Sequence, residues 1–265
     1  MKAEIVITSK DNQAVKKAAK LLTSAAFRRE EGLFCLEGVR LTLDAVQNGY
    51  KIKSLFLTEK AEEGYHDAVQ EIIKASDTVY KVSNDLFKKL SDTVSPQGVL
   101  AVLTIPETAL TEIKKDGMYI ALENTQDPAN FGAISRTAEA MGIDGIIVSA
   151  EGCDPYSPKS LRAAMGSGLR LPVIKADDFL SLLAELKTGG MEIIATVPRG
   201  ADEALGECEF KKGTVVLIGN EGNGLTEKAI LLSNKKVTIK MAGRSESLNA
   251  SAAAAMFIYE MMKGR

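Results

Sequence analysis

Four consecutive apolar residues, Val215-Val216-Leu217-Ile218, run straight into the glycine-rich stretch Gly219-Asn220-Glu221-Gly222-Asn223-Gly224. A strand apolar at successive positions has no wet face, so it suits a parallel sheet covered by helices on both sides. The pattern recurs through the second part of the chain. Strands are expected at Met118–Leu122, Gly145–Val148, Met191–Thr196, Thr214–Ile218 and Lys236–Ile239. Helices are expected at Phe131–Met141, Ser160–Ser167, Asp177–Leu186, Glu227–Leu232 and Leu248–Met262. The first part alternates on a smaller scale. A helix is expected over Asn12–Ala26, with Val15, Ala18, Ala19 and Leu22 on one side. Strands follow at Leu33–Leu36, Ser54–Leu57, Thr78–Val82 and Val99–Leu103, with helices at Val39–Gln47, Tyr65–Lys74 and Asp85–Leu90. Met1–Glu4 opens a strand-like stretch rather than a signal peptide. The class is α/β, in two domains at 1–105 and 117–265. Residues 106–116, which hold a proline and several charges, form the linker.

At 265 residues the chain has room for two cores, and 45% hydrophobic with 26% charged residues makes them packed and soluble. No apolar run nears the ~20 residues that cross a bilayer, so no membrane partner is expected. Cys35, Cys153 and Cys208 are odd in number and form no CxxC pair. They read as small buried side chains in a reducing cytoplasm. His66, the sole histidine, sits in a polar helix start, which argues against a His-based dyad or a His-rich metal site. The formal net charge of −2 argues against a general nucleic-acid binder. Residues 1–29, however, carry seven cations against Glu4 and Asp11. Lys16, Lys17, Lys20, Arg28 and Arg29 make either a local phosphate-binding patch or an ordinary solvated helix face.

Three polar segments each follow an expected strand, where an open α/β sheet binds its ligands. The first is Glu123-Asn124-Thr125-Gln126-Asp127-Pro128-Ala129-Asn130-Phe131-Gly132-Ala133-Ile134-Ser135-Arg136. Asn124, Asp127 and Asn130 are turn and capping residues, and Pro128 fits a first helical turn. Arg136 lies beyond the cap, where a guanidinium could reach back to an anion. The second is Leu217–Leu225, whose glycines permit close approach of backbone to a ligand but match neither a P-loop nor GxGxxG. The third is Ile239–Ser251, in which Ser247 could N-cap the last helix and Asn249 and Ser251 would sit in its first turn. Each alone passes as strand–turn–helix punctuation.

Together, in this order and spacing, the segments resemble the SpoU (TrmH) family of RNA ribose 2′-O-methyltransferases, within the SPOUT superfamily. Asn124 through Arg136 match Asn-x-x-Asp-Pro-x-Asn-x-Gly-x-x-x-Arg, and Gly219, Glu221 and Gly224 match Gly-x-Glu-x-x-Gly. Ile239 through Ser251 match Ile-Pro-Met-x-Gly-x-x-x-Ser-Leu-Asn-x-Ser, except that Lys240 replaces the usual proline. Residues 1–105 resemble, more loosely, the family's L30e-like substrate-binding domain, through Asn12, Val15, Lys16, Leu21, Leu22, Arg28, Phe34, Glu37 and Gly38.

The resemblance implies a C-terminal SPOUT domain with a parallel sheet and a deep trefoil knot, working as a homodimer through Phe131–Met141 and Leu248–Met262. It implies S-adenosyl-L-methionine as cofactor, held around Thr196, Val197, Leu217, Ile218, Gly219, Ile239, Met241 and Leu248, with no metal. It implies Arg136, Asn130, Glu221, Asn249 and Ser247 as the catalytic set. An arginine, with a pKa above ~12, suits stabilising phosphate and developing alkoxide better than accepting a proton. Glu221 would orient its loop or take the proton. The expected partner is RNA, 23S ribosomal RNA in preference to transfer RNA. A non-catalytic RNA-binding adaptor would need a decayed cofactor site, which intact Gly219, Glu221, Asn249 and Arg136 oppose. A nicotinamide enzyme would need GxGxxG after the first strand. A base methyltransferase of the same superfamily is disfavoured by Asn-x-Gly-x-x-x-Arg.

Overall fold

The computed structural model of the protein describes residues 4–91, 93–106 and 112–263. The chain divides into two compact units, Met1–Glu107 with Tyr156–Arg162, and Thr108–Pro155 with Ala163–Arg265. Residues 1–3 of the expected first strand and 107–111 of the expected linker lie outside the described residues.

The first unit contains β1 (Glu4–Ile7), α1 (Gln13–Thr23), α2 (Ala25–Glu31), β2 (Leu33–Glu37), α3 (Val39–Gln47) and β3 (Ile52–Leu57). It continues with α4 (Glu59–Gly64), α5 (His66–Lys74), β4 (Ser76–Val82), α6 (Asn84–Phe87) and β5 (Val99–Thr104). Its sheet has the order β1-β4-β3-β5-β2, with β5 antiparallel to both neighbours and the other pairs parallel. Leu21, Phe56, Phe87 and Leu100 anchor one of its cores. The single helix expected over Asn12–Ala26 is two. Ser24 adopts extended backbone angles, its N–H closes α1 on the Lys20 carbonyl, and its hydroxyl accepts the Phe27 N–H to start α2. A serine hydroxyl offers the backbone an alternative to the helical ladder, and the chain takes it.

The second unit contains β6 (Tyr119–Leu122), α7 (Pro128–Met141), β7 (Gly145–Ser149), α9 (Ser167–Arg170), β8 (Val173–Ala176), α10 (Phe179–Thr188) and β9 (Glu192–Thr196). It closes with β10 (Glu203–Ala204), β11 (Thr214–Ile218), α11 (Glu227–Leu232), β12 (Lys235–Thr238) and α12 (Ala250–Met262). Between β7 and α9, α8 spans Pro158–Ala164. Seven parallel strands form a sheet of order β10-β12-β9-β11-β6-β7-β8. Alternate residues of β11 enter two cores. Val216 and Ile218 join Phe131, Ile134, Phe257 and Ile258 on the α7/α12 face, while Val215 and Leu217 join Phe179, Leu183 and Ala229 on the α10/α11 face. The near-continuous apolar strands are thus wet on neither side, as their composition requires.

Several boundaries differ from expectation. The helix expected over Ser160–Ser167 splits into α8 and α9, because Met165 and Gly166 both take positive φ (49° and 87°). β8 and β10 carry no strong pattern of their own and are held by pairing with β7 and β12. Among the described residues, no helix is long and apolar enough to cross a membrane.

Candidate active site

The site begins where β6 ends. Glu123 is 5% exposed, and its carboxylate accepts both the N–H and the hydroxyl of Thr226, each at 2.7 Å. Thr226 in turn N-caps α11. Asn124 follows at φ 55°, a left-handed angle that asparagine tolerates better than most side chains. The Ser149 hydroxyl at the end of β7 accepts the Asn124 N–H and donates to Asn124 Oδ1, both at 2.8 Å. The Asn124 carbonyl accepts Asn220 Nδ2 at 2.8 Å. Asn220 Oδ1 then accepts the N–H groups of Gly222 and Asn223, which curls the glycine loop. In the sequence Glu123 heads the first polar segment without a role of its own, and Ser149 lies in no motif; each is a polar residue ending an apolar strand.

Glu221 is where the first two segments meet. Its Oε1 accepts Asn130 Nδ2 at 2.9 Å and the Asp127 N–H at 3.2 Å, and its Oε2 accepts the Gln126 N–H at 3.1 Å. Partial burial pushes its pKa up, but the hydrogen bonds from Asn130 and the backbone amides outweigh that and hold it below the ordinary carboxylate value. Asp127 N-caps α7, with Pro128 in the first turn. Asn130, 6% exposed, uses its oxygen to accept Asn249 Nδ2 at 3.0 Å. Asn249 Oδ1 accepts the N–H groups of Ser251 and Ala252. Asn249 is therefore the N-cap of α12. The expected cap, Ser247, is an exposed residue of the preceding loop, because the helix starts at Ala250 rather than Leu248.

The structure brings Asn130, Glu221 and Asn249 together and leaves Arg136 apart. Six residues beyond Asn130, about 9 Å along the axis, Arg136 lies on the exposed face of α7. There its Nη1 donates to Met165 Sδ at 3.2 Å. The eight residues expected at a cofactor lie at the carboxyl ends of β9, β11 and β12, or in the loop after β12. These three strands are neighbours in the sheet. Thr196 Oγ1 donates to the Leu217 carbonyl at 2.8 Å, and the Val197 N–H donates to the Val237 carbonyl at 3.0 Å. Ile239 and Met241 are half-buried and Leu248 is exposed, so they offer apolar surface beside these strand ends. At Gly219 a Cβ would lie 2.2 Å from the Gly224 carbonyl carbon, so only glycine lets the loop fold back on itself. A separate cleft of about 520 Å³, lined by Leu205, Glu207, Met256 and Tyr259, shares only Ile239 with the eight, and Lys240 lines it as well. Among the described residues, no group of three or more His, Cys, Asp or Glu is placed to hold a metal ion.

In the first unit the basic residues are mostly committed. Arg28 is 4% exposed and donates to the Leu21 carbonyl, so its guanidinium is internal structure and not part of a surface patch. Lys16 pairs with Asp11, Lys17 pairs with Glu31, and Lys20 lies 3.9 Å over the Phe27 ring. Arg29 is exposed.

A parallel α/β sheet whose polar loops converge at its carboxyl edge defines a ligand-binding protein of the doubly covered α/β class. Residues 117–259 match the model of the SpoU rRNA methylase family, and residues 12–101 match that of the MRM3-like substrate-binding domain. The chain belongs to the SpoU rRNA methylase family. It is 35% identical to an uncharacterized tRNA/rRNA methyltransferase of Synechocystis, over 96% of this chain and 92% of that one. It is 28% identical to the 23S rRNA (guanosine(2553)-2′-O)-methyltransferase of Bacillus subtilis, over 96% and 98%. The AdoMet-bound rRNA methyltransferase of Sinorhizobium meliloti superposes with a TM-score of 0.84 at 29% identity, covering 97% of each chain.

Proposed function

We infer that this chain transfers a methyl group from S-adenosylmethionine to a ribose 2′-hydroxyl of 23S ribosomal RNA, in the cytoplasm. The observation that carries this is the Glu221–Asn130–Asn249 chain, which ties the three family motifs together beside the cofactor strands. S-adenosylmethionine supplies a methyl group already activated on a sulfonium. The backbone at Leu217–Gly219 and Ile239–Met241, with Thr196, Val197 and Leu248, would hold it. The trefoil knot implied by the family is part of the same reading.

The residues then divide the work. Glu221 carries a lowered pKa and already accepts hydrogen bonds from Asn130, Asn220 and the Gln126 and Asp127 amides, so it holds the loop and does not take the proton. Asn130 and Asn249 keep the loop and the start of α12 in register, and Ser247 completes the polar wall. Arg136 stabilises phosphate and the developing alkoxide. It points away from its own network, and α12, packed beside α7, exposes Met256 and Tyr259. A homodimer through α7 and α12 would carry Arg136 to the strand ends of a second copy. The first unit presents the RNA, with Arg29, Lys16, Lys17 and Lys20 as its basic contacts.

The test is methyl incorporation into 23S rRNA from cells lacking the protein, followed by alkaline hydrolysis. One newly resistant linkage is expected. Methylation of transfer RNA alone, or of a base with every linkage still cut, would overturn the assignment.

A further inference from the structure

Because all strands of the second unit run parallel, every loop leaving a carboxyl end emerges on one edge of the sheet, and charge along that edge is lopsided. On the side of β6, β7 and β8 the loops carry Glu123, Asp127, Glu151, Asp154, Asp177 and Asp178, with no lysine or arginine before the next helix. On the other side the loops after β9 and β12 carry Arg199, Lys240 and Arg244 against Asp202 and Glu246, with Glu207 just beyond β10 and Glu221 just beyond β11. On the β9/β12 side, Asp202 and Lys240 are already used. Asp202 accepts the Lys236 N–H at 2.8 Å and pairs with its ammonium at 3.3 Å, and Lys240 pairs with Glu207. Arg199 and Arg244 are exposed, and among the described residues neither has an ion pair or hydrogen bond. Their loops are adjacent. Val237 lies in register with Thr196, and Thr238 Oγ1 donates to the Pro198 carbonyl at 3.4 Å.

A polyanion crossing this edge is repelled along the β6–β8 half, whereas the β9/β12 half offers it two unpaired guanidiniums. A guanidinium offers phosphate two parallel donors, which a lysine does not. We propose that Arg199 and Arg244 bind the phosphate backbone of the substrate RNA beside the target nucleotide, so that the strand crosses the β9/β12 half of the edge. This rests on RNA being the substrate, as inferred above.

The test measures binding of the full-length protein to a 23S rRNA transcript and to an unrelated RNA of equal length, across a salt series. Arg199→Gln and Arg244→Gln should each weaken both RNAs roughly five-fold, and lower the slope of log Kd against log salt by about 1. Calorimetric affinity for S-adenosylmethionine should stay within two-fold. Lys212→Gln removes an exposed cation just before β11, at the opposite edge, and should leave the slope unchanged. Wild-type affinity and slope in the doubly substituted protein would overturn the proposal, as would an equal slope loss in Lys212→Gln. If the wild type binds but never methylates 23S rRNA, the reaction assigned above fails, while the slope loss still supports the phosphate surface.

Discussion

Asn249 Nδ2 donates to Asn130 Oδ1 at 3.0 Å, across 119 residues of sequence. The polarity of this bond is forced from both ends. Asn130 must turn its NH₂ to Glu221, because a carboxylate only accepts, and Asn249 must turn its oxygen to the N–H groups of Ser251 and Ala252. Asn249→Asp keeps the acceptor that caps α12 but sets an oxygen against Asn130 Oδ1. Asn249→Ala loses cap and bond together, and the cap alone is worth about 1 kcal/mol. The Asp variant should therefore melt near the wild type while losing methyl transfer as fully as the Ala variant, which melts lower. An active Asp variant would show that the inter-segment bond is dispensable.

The lowered pKa of Glu221 fixes the sign of a pH effect. A carboxylate whose folded pKa lies below its unfolded value, about 4.3 for glutamate, stabilises the fold above that value and loses the contribution as pH falls through the folded pKa. Glu221→Gln sets an NH₂ against amide donors and should cost about 1 kcal/mol at neutral pH, discounted for the side chain's exposure. The gap to wild type should narrow as pH falls from 5 toward 3 in urea unfolding. A gap of constant size across that range would show that the carboxylate's charge is not what holds the loop.

Gly219→Ala sets a Cβ 2.3 Å from the Leu225 nitrogen, against backbone that cannot turn aside. At Gly222 the nearest atom to an added Cβ is Asn220 Oδ1 at 3.5 Å, an ordinary contact. Gly219→Ala should weaken S-adenosylmethionine binding more than roughly tenfold, while Gly222→Ala stays within a few-fold, both with wild-type far-ultraviolet dichroism. Equal binding by the two would remove the close approach at Gly219 as a requirement.

Arg28 and Arg29 adjoin in sequence and differ in role. Arg28→Met leaves the buried Leu21 carbonyl without this donor and should cost roughly 1–3 kcal/mol of stability, leaving the salt slope of RNA binding unchanged. Arg29→Gln should do the reverse. A lowered salt slope in Arg28→Met would return that residue to the RNA surface.

Local pattern made much of this fold legible. Val39–Gln47, Thr214–Ile218 and Glu227–Leu232 fall where periodicity places them, because each is short and strongly patterned. What escaped depends on partners distant in sequence or on competing local bonds. Ser24 breaks a helix whose apolar periodicity runs through it, since a hydroxyl's choice of backbone partner leaves no periodic trace. Glu123 finds Thr226 across 103 residues, and Arg28 turns inward within a run of cations. Within the site the motif residues were identifiable, whereas their connections were not, and Ser247 and Asn249 exchanged the capping role over two positions.

The position of Arg136 yields a prediction about assembly. Its contact is Met165, and its face of α7 is turned from the Glu221–Asn130–Asn249 network of its own chain. If it serves the strand ends of a second copy, Arg136→Ala and Asn249→Ala homodimers should each be nearly inactive. A mixed dimer would carry one site with both defects and one with neither. Co-expressing the two variants with different tags and isolating the doubly tagged species should restore close to half of wild-type turnover per dimer. Arg136→Ala should also leave S-adenosylmethionine affinity unchanged. A mixed dimer as inactive as its parents would place Arg136 in its own chain's site and overturn the assembly proposed here.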